Sequence, residues 1–254
     1  MSTLAVLPAR LSATRLPNKP LRLLGGRPLI VRVWERVRAL EVADRIVVAT
    51  DHADIAAVCR EAGAEVAMTR ADHPSGTDRV AEVAARPEYA AHHVIVNVQG
   101  DEPFVDRAAI AGAAAIVAEG RQPLGTAACH AAPEVLARPD VVKVVTADDG
   151  RALYFSRAPI PYLRDAADAP RLAALVRQHV GVYAYRRDAL AAWVALPPHP
   201  LELVEKLEQL RPLAAGWAMG VATVAEPPAG GVDTEDDLAR ANARWTTTTE
   251  DRPR

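Results

Sequence analysis

Short apolar runs punctuate the first hundred residues. Leu4–Leu7, Arg45–Ala49, Glu65–Met68 and His93–Val98 read as strands. Between them, apolar positions recur at helical spacing over Leu29–Ala39, Ala53–Ala62 and Thr77–Ala85. Strand and helix alternating at this interval predict βαβ units. Val94-Ile95-Val96 is apolar on both faces, which suits a strand covered on both sides. The expectation is an α/β fold: a doubly wound, mostly parallel, Rossmann-like sheet that binds ligands at the carboxyl ends of its strands.

The pattern changes in the middle of the chain. Val141–Thr146 and Ala152–Phe155 flank Asp148-Asp149-Gly150 and read as a hairpin. Residues Arg164–Arg177 are poorly patterned and read as a loop or lid with room for a short helix. Gln178–Tyr185 reads as a strand. Helices are expected at Asp188–Ala195 and Leu201–Leu210, separated by Pro197, Pro198 and Pro200. Trp217–Val224 reads as the last strand. Thr234 followed by Asp237 resembles a capping box opening a C-terminal helix. Thr246–Arg254 is polar and reads as a frayed end.

Composition narrows the function. With 254 residues the chain makes one large domain or two packed ones. A net charge of −2 offers no basic excess for nucleic acid. No run reaches the ~18 apolar residues of a membrane span, and the first residues lack a charged segment followed by an apolar one. No membrane partner and a cytoplasmic location are the expectations. Cys59 falls in a helical pattern and Cys129 in a strand, so both read as buried thiols.

Candidate chemistry lies where strands end. The first is followed by Arg10, Arg15 and Lys19, three cations where a doubly wound fold places phosphates. Cations there neutralise a triphosphate so that a nucleophile can approach; on charge alone, a solvated basic loop explains them equally well. The chain has no G-x-G-x-x-G after this strand and no P-loop motif, which argues against a dinucleotide dehydrogenase and a P-loop NTPase. The fourth strand ends in Gln99-Gly100-Asp101-Glu102-Pro103, a carboxylate placed to hold magnesium against a phosphate. Asp233, between the last strand and a helix, reads from sequence alone as an N-cap. Ser75 and Arg79 open a helix at an ordinary loop junction. Arg157 follows a strand. His179 and Tyr183 share one strand face, and Glu205, Glu208 and Gln209 lie on a predicted helix. Together these suit a polyhydroxy acid, with Arg157 for its carboxylate. No Cys/His spacing suits zinc, and no G-x-S-x-G is present.

These motifs occur in a fixed order: Pro8-Ala9-Arg10, Arg15-Leu16-Pro17-Asn18-Lys19-Pro20, Ala49-Thr50-Asp51, Met68-Thr69-Arg70, His73-Pro74-Ser75-Gly76-Thr77-Asp78-Arg79, Asn97-Val98-Gln99-Gly100-Asp101-Glu102-Pro103, Val142-Lys143-Val144-Val145, Leu153-Tyr154-Phe155-Ser156-Arg157, His179-Val180-Gly181-Val182-Tyr183, Leu207-Glu208-Gln209-Leu210-Arg211 and Val232-Asp233-Thr234. The set resembles the 3-deoxy-manno-octulosonate (Kdo) cytidylyltransferases, or CMP-Kdo synthetases, from about Leu4 to Asp237. Where the family has Gly-Lys-Pro, this chain has Gly26-Arg27-Pro28, and Arg138-Pro139-Asp140 replaces Asn-Pro-Asn.

The resemblance implies CMP transfer from CTP to Kdo by a magnesium-dependent homodimer. It implies CTP contacts at Ala9, Arg10, Arg15, Lys19, Ser75, Arg79, Gln99 and Asp101, with Arg10, Lys19, Asp101 and Asp233 catalytic. It implies magnesium on Asp101 and Asp233, and the acceptor on Arg157, His179, Tyr183, Glu208 and Gln209. It further implies a nucleotide-binding core at 1–130 and 210–245, a dimerisation and acceptor-binding part at 131–209, and a disordered tail at 246–254. Two other readings stay open: the same chemistry on another small acid such as phosphonoformate, and a nucleotide-binding protein without turnover.

Overall fold

The first strand, β1 (Thr3–Ala9), buries Leu4, Ala5, Val6 and Leu7 completely. The structure, a computed structural model, describes residues 2–11, 15–225, 227 and 230–250, with side chains through Thr246. Contacts divide the chain into two units. Residues 2–91, 97–105 and 229–254 form one; residues 92–96 and 106–228 form the other.

In the first unit, β1 leads to a short antiparallel pair, β2 (Leu23–Leu24) and β3 (Arg27–Pro28). Helix α1 (Leu29–Leu40) follows, burying Leu29, Ile30, Val33, Trp34 and Val37 on one stripe. Then come β4 (Arg45–Thr50), α2 (Ala53–Glu61), β5 (Glu65–Met68) and α3 (Gly76–Ala84); of β6 (Val94–Val98), Asn97 and Val98 belong to this unit and Val94, Ile95 and Val96 to the other. Strand β1 pairs in parallel with β4, and β4 with β5, in the order β1–β4–β5. All five residues of β6 are buried, as its unbroken apolar character requires. These boundaries lie within a few residues of the expected ones.

The second unit contains α4 (Arg107–Ala118), β7 (Leu124–His130), β8 (Lys143–Thr146), β9 (Ala152–Ser156), α5 (Ala169–Leu175), β10 (Arg177–Arg186), α6 (Arg187–Ala195), α7 (Pro200–Glu205), α8 (Leu210–Ala214) and β11 (Met219–Val224). Strand β11 runs parallel to β7, while β10 is antiparallel to β7. Strands β8 and β9 form the expected antiparallel pair.

One expectation is corrected. The helix expected over Leu201–Leu210 is broken: α7 stops at Glu205, Lys206 turns left-handed (φ 56°), and α8 starts at Leu210. A buried ion pair explains the break. Arg211 donates from Nε and Nη2 to Glu202 at 2.7 and 2.5 Å, folding α8 back onto α7. Within the second unit, α4 and β7 pack with β10 and β11.

Helix α9 (Glu235–Glu250) is the last element; of the end expected to fray from Thr246, residues 251–254 lie outside the described ones. Aromatic contacts dock the helix. The Trp245 ring lies 6.0 Å from Phe104 and beneath the Arg32 guanidinium at 4.5 Å. Leu238 and Ala241 of α9 join Leu16, Leu24, Leu29 and Val232 in one core cluster. Asn242 accepts from Gly25 N (2.9 Å) and donates to Leu23 O (3.1 Å), tying α9 to the β2–β3 turn. Among the described residues no helix is long and apolar enough to cross a membrane.

Candidate active site

Lys19 begins a single helical turn after β1, held by left-handed Asn18 (φ 54°). Its ammonium donates to Asp101 Oδ2 and, at 2.7 Å, to Asp233 Oδ1. Arg15 reaches the other oxygen of Asp233 at 3.0 Å. Two aspartates far apart in sequence therefore converge on one cation, beside a second. The backbone brings them there: Val232 N donates to Asp101 O at 2.9 Å. Gly100 is required at this crossing, since a Cβ there would lie 2.6 Å from Pro8 O.

Asp233 does not act as the N-cap that its position in sequence suggests. Thr234 does: Asp237 N donates to Thr234 Oγ1 at 3.1 Å, while Asp237 Oδ2 accepts from Asp233 N and Thr234 N at 3.1 and 2.9 Å. The cap leaves the Asp233 carboxylate to Lys19. Thr234→Ala should cost about 1 kcal/mol, as lost caps do. For a chain of this size that is a Tm drop of about 2–4 °C, readable by differential scanning calorimetry; an unchanged Tm would remove the cap from this account.

Charge is concentrated here. Burial by itself pulls the Lys19 ammonium down, but Asp101 and then Asp233 outweigh it, and the net shift is upward. Lys19 thus stays charged at neutral pH. Desolvation pushes the Glu102 carboxyl well above the usual carboxylate range, with the charges of Asp101 and Asp233 adding to it. The donor set suits magnesium, which takes hard oxygens and needs only one or two protein carboxylates when phosphates and waters complete its shell. Among the described residues no trio of His, Cys, Asp or Glu forms a closed metal cage.

The starts and ends of three elements meet beside this cluster. A Cβ on Gly76, at the start of α3, would lie 3.5 Å from Pro8 Cγ and 3.8 Å from Gln99 Oε1. Ser75 caps α3, accepting from Asp78 N at 3.3 Å and donating to Asp78 Oδ2 at 2.6 Å. Arg79 is buried; it pairs with Asp51 at 3.0 Å and donates to Thr69 Oγ1. Its guanidinium braces the strand ends of β4 and β5. Ala9 is buried and Arg10 exposed at the end of β1.

In the second unit, the expected acceptor residues fall into two groups. His179 and Tyr183 have rings 5.5 Å apart despite a register shift between Val180 and Tyr183. The Phe155 ring meets His179 edge-on at 5.0 Å. Thr126 gives its one proton to Val182 O (2.7 Å), so His179 donates Nε2–H to Thr126 Oγ1 at 2.9 Å. Burial pushes His179 down to about 3, so it is a neutral hydrogen-bonding ring at neutral pH. Arg157 donates from Nε to Glu205 O (2.9 Å) and from Nη1 to Pro139 O (3.1 Å). Glu205 in turn accepts from Ser156 Oγ and Arg157 N, at 2.5 and 2.9 Å. Glu208 and Gln209 lie in the turn before α8; Gln209 is buried, and its Nε2 meets no partner among the described residues.

Lys143 carries a role the sequence reading did not give it. Fully buried, its ammonium donates to the carbonyls of Arg138 (2.9 Å), Val141 (2.8 Å) and Arg157. All three of its donors are spent on loop backbone, so it pins the segment that presents Arg157. Asp51, Thr69 and Thr126 were likewise given no role. A polar residue inside an otherwise apolar strand, as at Lys143 and Thr126, is the signal that finds such positions.

Comparison with known proteins agrees with this geometry. A family model described as cytidylyltransferase matches residues 4–219. The chain is 66% identical over 245 residues to the 3-deoxy-manno-octulosonate cytidylyltransferase of Gemmatimonas aurantiaca, covering 96% of this chain and 95% of that one. It is 50% identical over 253 residues to that of Herminiimonas arsenicoxydans, covering 97% and 100%. A solved CMP:2-keto-3-deoxy-manno-octonic acid synthetase complexed with CTP superposes with a TM-score of 0.89 at 36% identity, covering 98% of this chain and all of that one. This chain belongs to the 3-deoxy-manno-octulosonate cytidylyltransferase family.

Proposed function

We propose that this chain transfers CMP from CTP to Kdo, releasing pyrophosphate, with magnesium held by Asp101 and Asp233. The observation that carries the reading is the meeting of both aspartates on Lys19, with Arg15 alongside. Magnesium, when bound, neutralises phosphate charge. Lys19, Arg15 and Arg10 supply the remaining cations, the guanidiniums in bidentate fashion. The anomeric oxygen of the acceptor forms a bond to the α-phosphorus, the α–β anhydride bond breaks, and the hydroxyl proton passes to solvent. Catalysis by charge and alignment needs no side-chain base. Gln99 and the Ser75–Arg79 segment line the base side. The neutral His179 ring, Tyr183, Gln209 and the pinned Arg157 segment provide hydroxyl and carboxylate contacts for the sugar acid.

A cytoplasmic homodimer is part of the proposal. Its support is a set of exposed apolar side chains, Leu153, Tyr162, Leu175, Leu201, Leu203 and Val204, all between residues 131 and 209.

Pyrophosphate release tests the function. With CTP and magnesium, Kdo should give steady turnover, and phosphonoformate at least a hundredfold less. Turnover with phosphonoformate alone would change the acceptor. Tight CTP binding without release on any acid would remove the enzyme reading.

A further inference from the structure

Helix α3 does more than present Ser75 and Arg79. Arg79 and Glu82 are three residues apart and neighbours on its surface. Arg79 fastens Thr69 at the start of the loop that joins β5 to α3. Glu82 fastens the loop's middle: its Oε2 accepts from Arg70 N at 3.0 Å and from His73 Nε2 at 2.6 Å. Arg86 donates to Glu82 Oε1 at 2.9 Å and also to Met68 O, closing the strand end onto the same carboxylate. Ser75 then ends the loop as the cap of α3.

The side chains of this loop divide sharply. Those of Arg70 and Asp72 are 69% and 77% exposed and pair with each other at 3.2 Å, whereas that of His73 is 5% exposed. The loop is thus a solvent-facing arch with His73 as its single buried pin and Glu82 as the socket. Burial alone would raise the Glu82 carboxyl, but the Arg70 amide, His73 and Arg86 together bring it to about 2. The socket therefore stays ionised across the working pH range.

We infer that Glu82 and His73 are positioning residues for nucleotide selection, fixing the arch that delivers Ser75 and Gly76 to the base of CTP. This deepens the proposed function and rests on it. Cytosine offers an amino donor where uracil has a carbonyl, and a distinction of that kind needs acceptors held in register. A buried polar group matched to one partner discriminates strongly, and one that drifts does not. Neither residue is placed among the groups that touch phosphate, metal or acceptor, so their loss should act on the base and spare the chemistry.

The test measures CTP and UTP binding by calorimetry, then steady-state kinetics, for the wild-type chain and for Glu82→Ala, Glu82→Gln and His73→Ala. Glu82→Ala and His73→Ala should weaken CTP binding and raise KM for CTP about tenfold. Their kcat at saturating CTP should stay within twofold, and their preference for CTP over UTP should fall by a similar factor. Glu82→Gln keeps one acceptor oxygen, enough for Arg70 N and His73 Nε2, while its amide nitrogen turns to Arg86, so it should recover part of the loss; being nearly isosteric, it also supplies a readable variant should the alanine forms fold poorly. A lowered Tm with unchanged KM and unchanged CTP preference would overturn the inference, leaving Glu82 a purely structural anchor. Failure of the wild-type chain to bind CTP would overturn the nucleotide reading itself, and this inference with it.

Discussion

Asp101→Asn should lower kcat on the order of a thousandfold, the scale set by removing one preorganised charge from a phosphoryl-transfer site. The substitution is nearly isosteric and lies in a turn whose backbone is fixed independently, by Val232 N on Asp101 O and by the close approach of Gly100 to Pro8. Tm and circular dichroism should therefore stay near wild type while turnover disappears. A variant with near-normal rate would mean that the carboxylate shared by Lys19 is an ordinary salt bridge, and the site would have to be sought elsewhere.

Lys19→Met should move two measurements in opposite directions. The ammonium sits on one oxygen of each aspartate, the two carboxylates proposed to hold the metal. Removing it leaves Asp101 and Asp233 uncompensated beside Glu102, so Mn2+ binding in the absence of nucleotide should tighten, by tenfold or more on the scale of like-charge effects between adjacent carboxylates. Turnover should fall roughly a hundredfold or more, because the same ammonium is needed against the triphosphate. Calorimetry with Mn2+ and a pyrophosphate assay read the two effects separately. Weakened metal binding in this variant would show that Lys19 only orders the two aspartates.

The parallel strands and helices of the first unit were legible to within a few residues. Each of these strands is a short apolar run at the edge of a polar turn, and helix α1 carries one clean apolar stripe in Leu29, Val33 and Val37, whereas the two-residue strands β2 and β3 left no pattern to read. The convergence of Lys19, Asp101 and Asp233 could be proposed from the ordered motifs, but not from local pattern: Asp233 stands at a helix start, where a cap is the simpler reading, and only the capping geometry of Thr234 and Asp237 frees it. Other features left little trace. Helix α4 is so rich in alanine, as in Ala113 and Ala114, that no stripe stands out. The break at Lys206 depends on Arg211 reaching Glu202 across the turn, a tertiary contact that overrides a good helical pattern. Docking of Trp245 on Phe104 and Arg32 is likewise a tertiary contact without a local signal. The loop between β5 and α3 hid its anchors because His73 and Glu82 meet only once the chain has folded.

Lys19 and Asp233 stand 214 positions apart, and the second arrives only with helix α9. The contact closes a very long loop, and contacts of that kind are slow to form. The site should therefore be among the last parts of the first unit to assemble during refolding, after its parallel strands have paired.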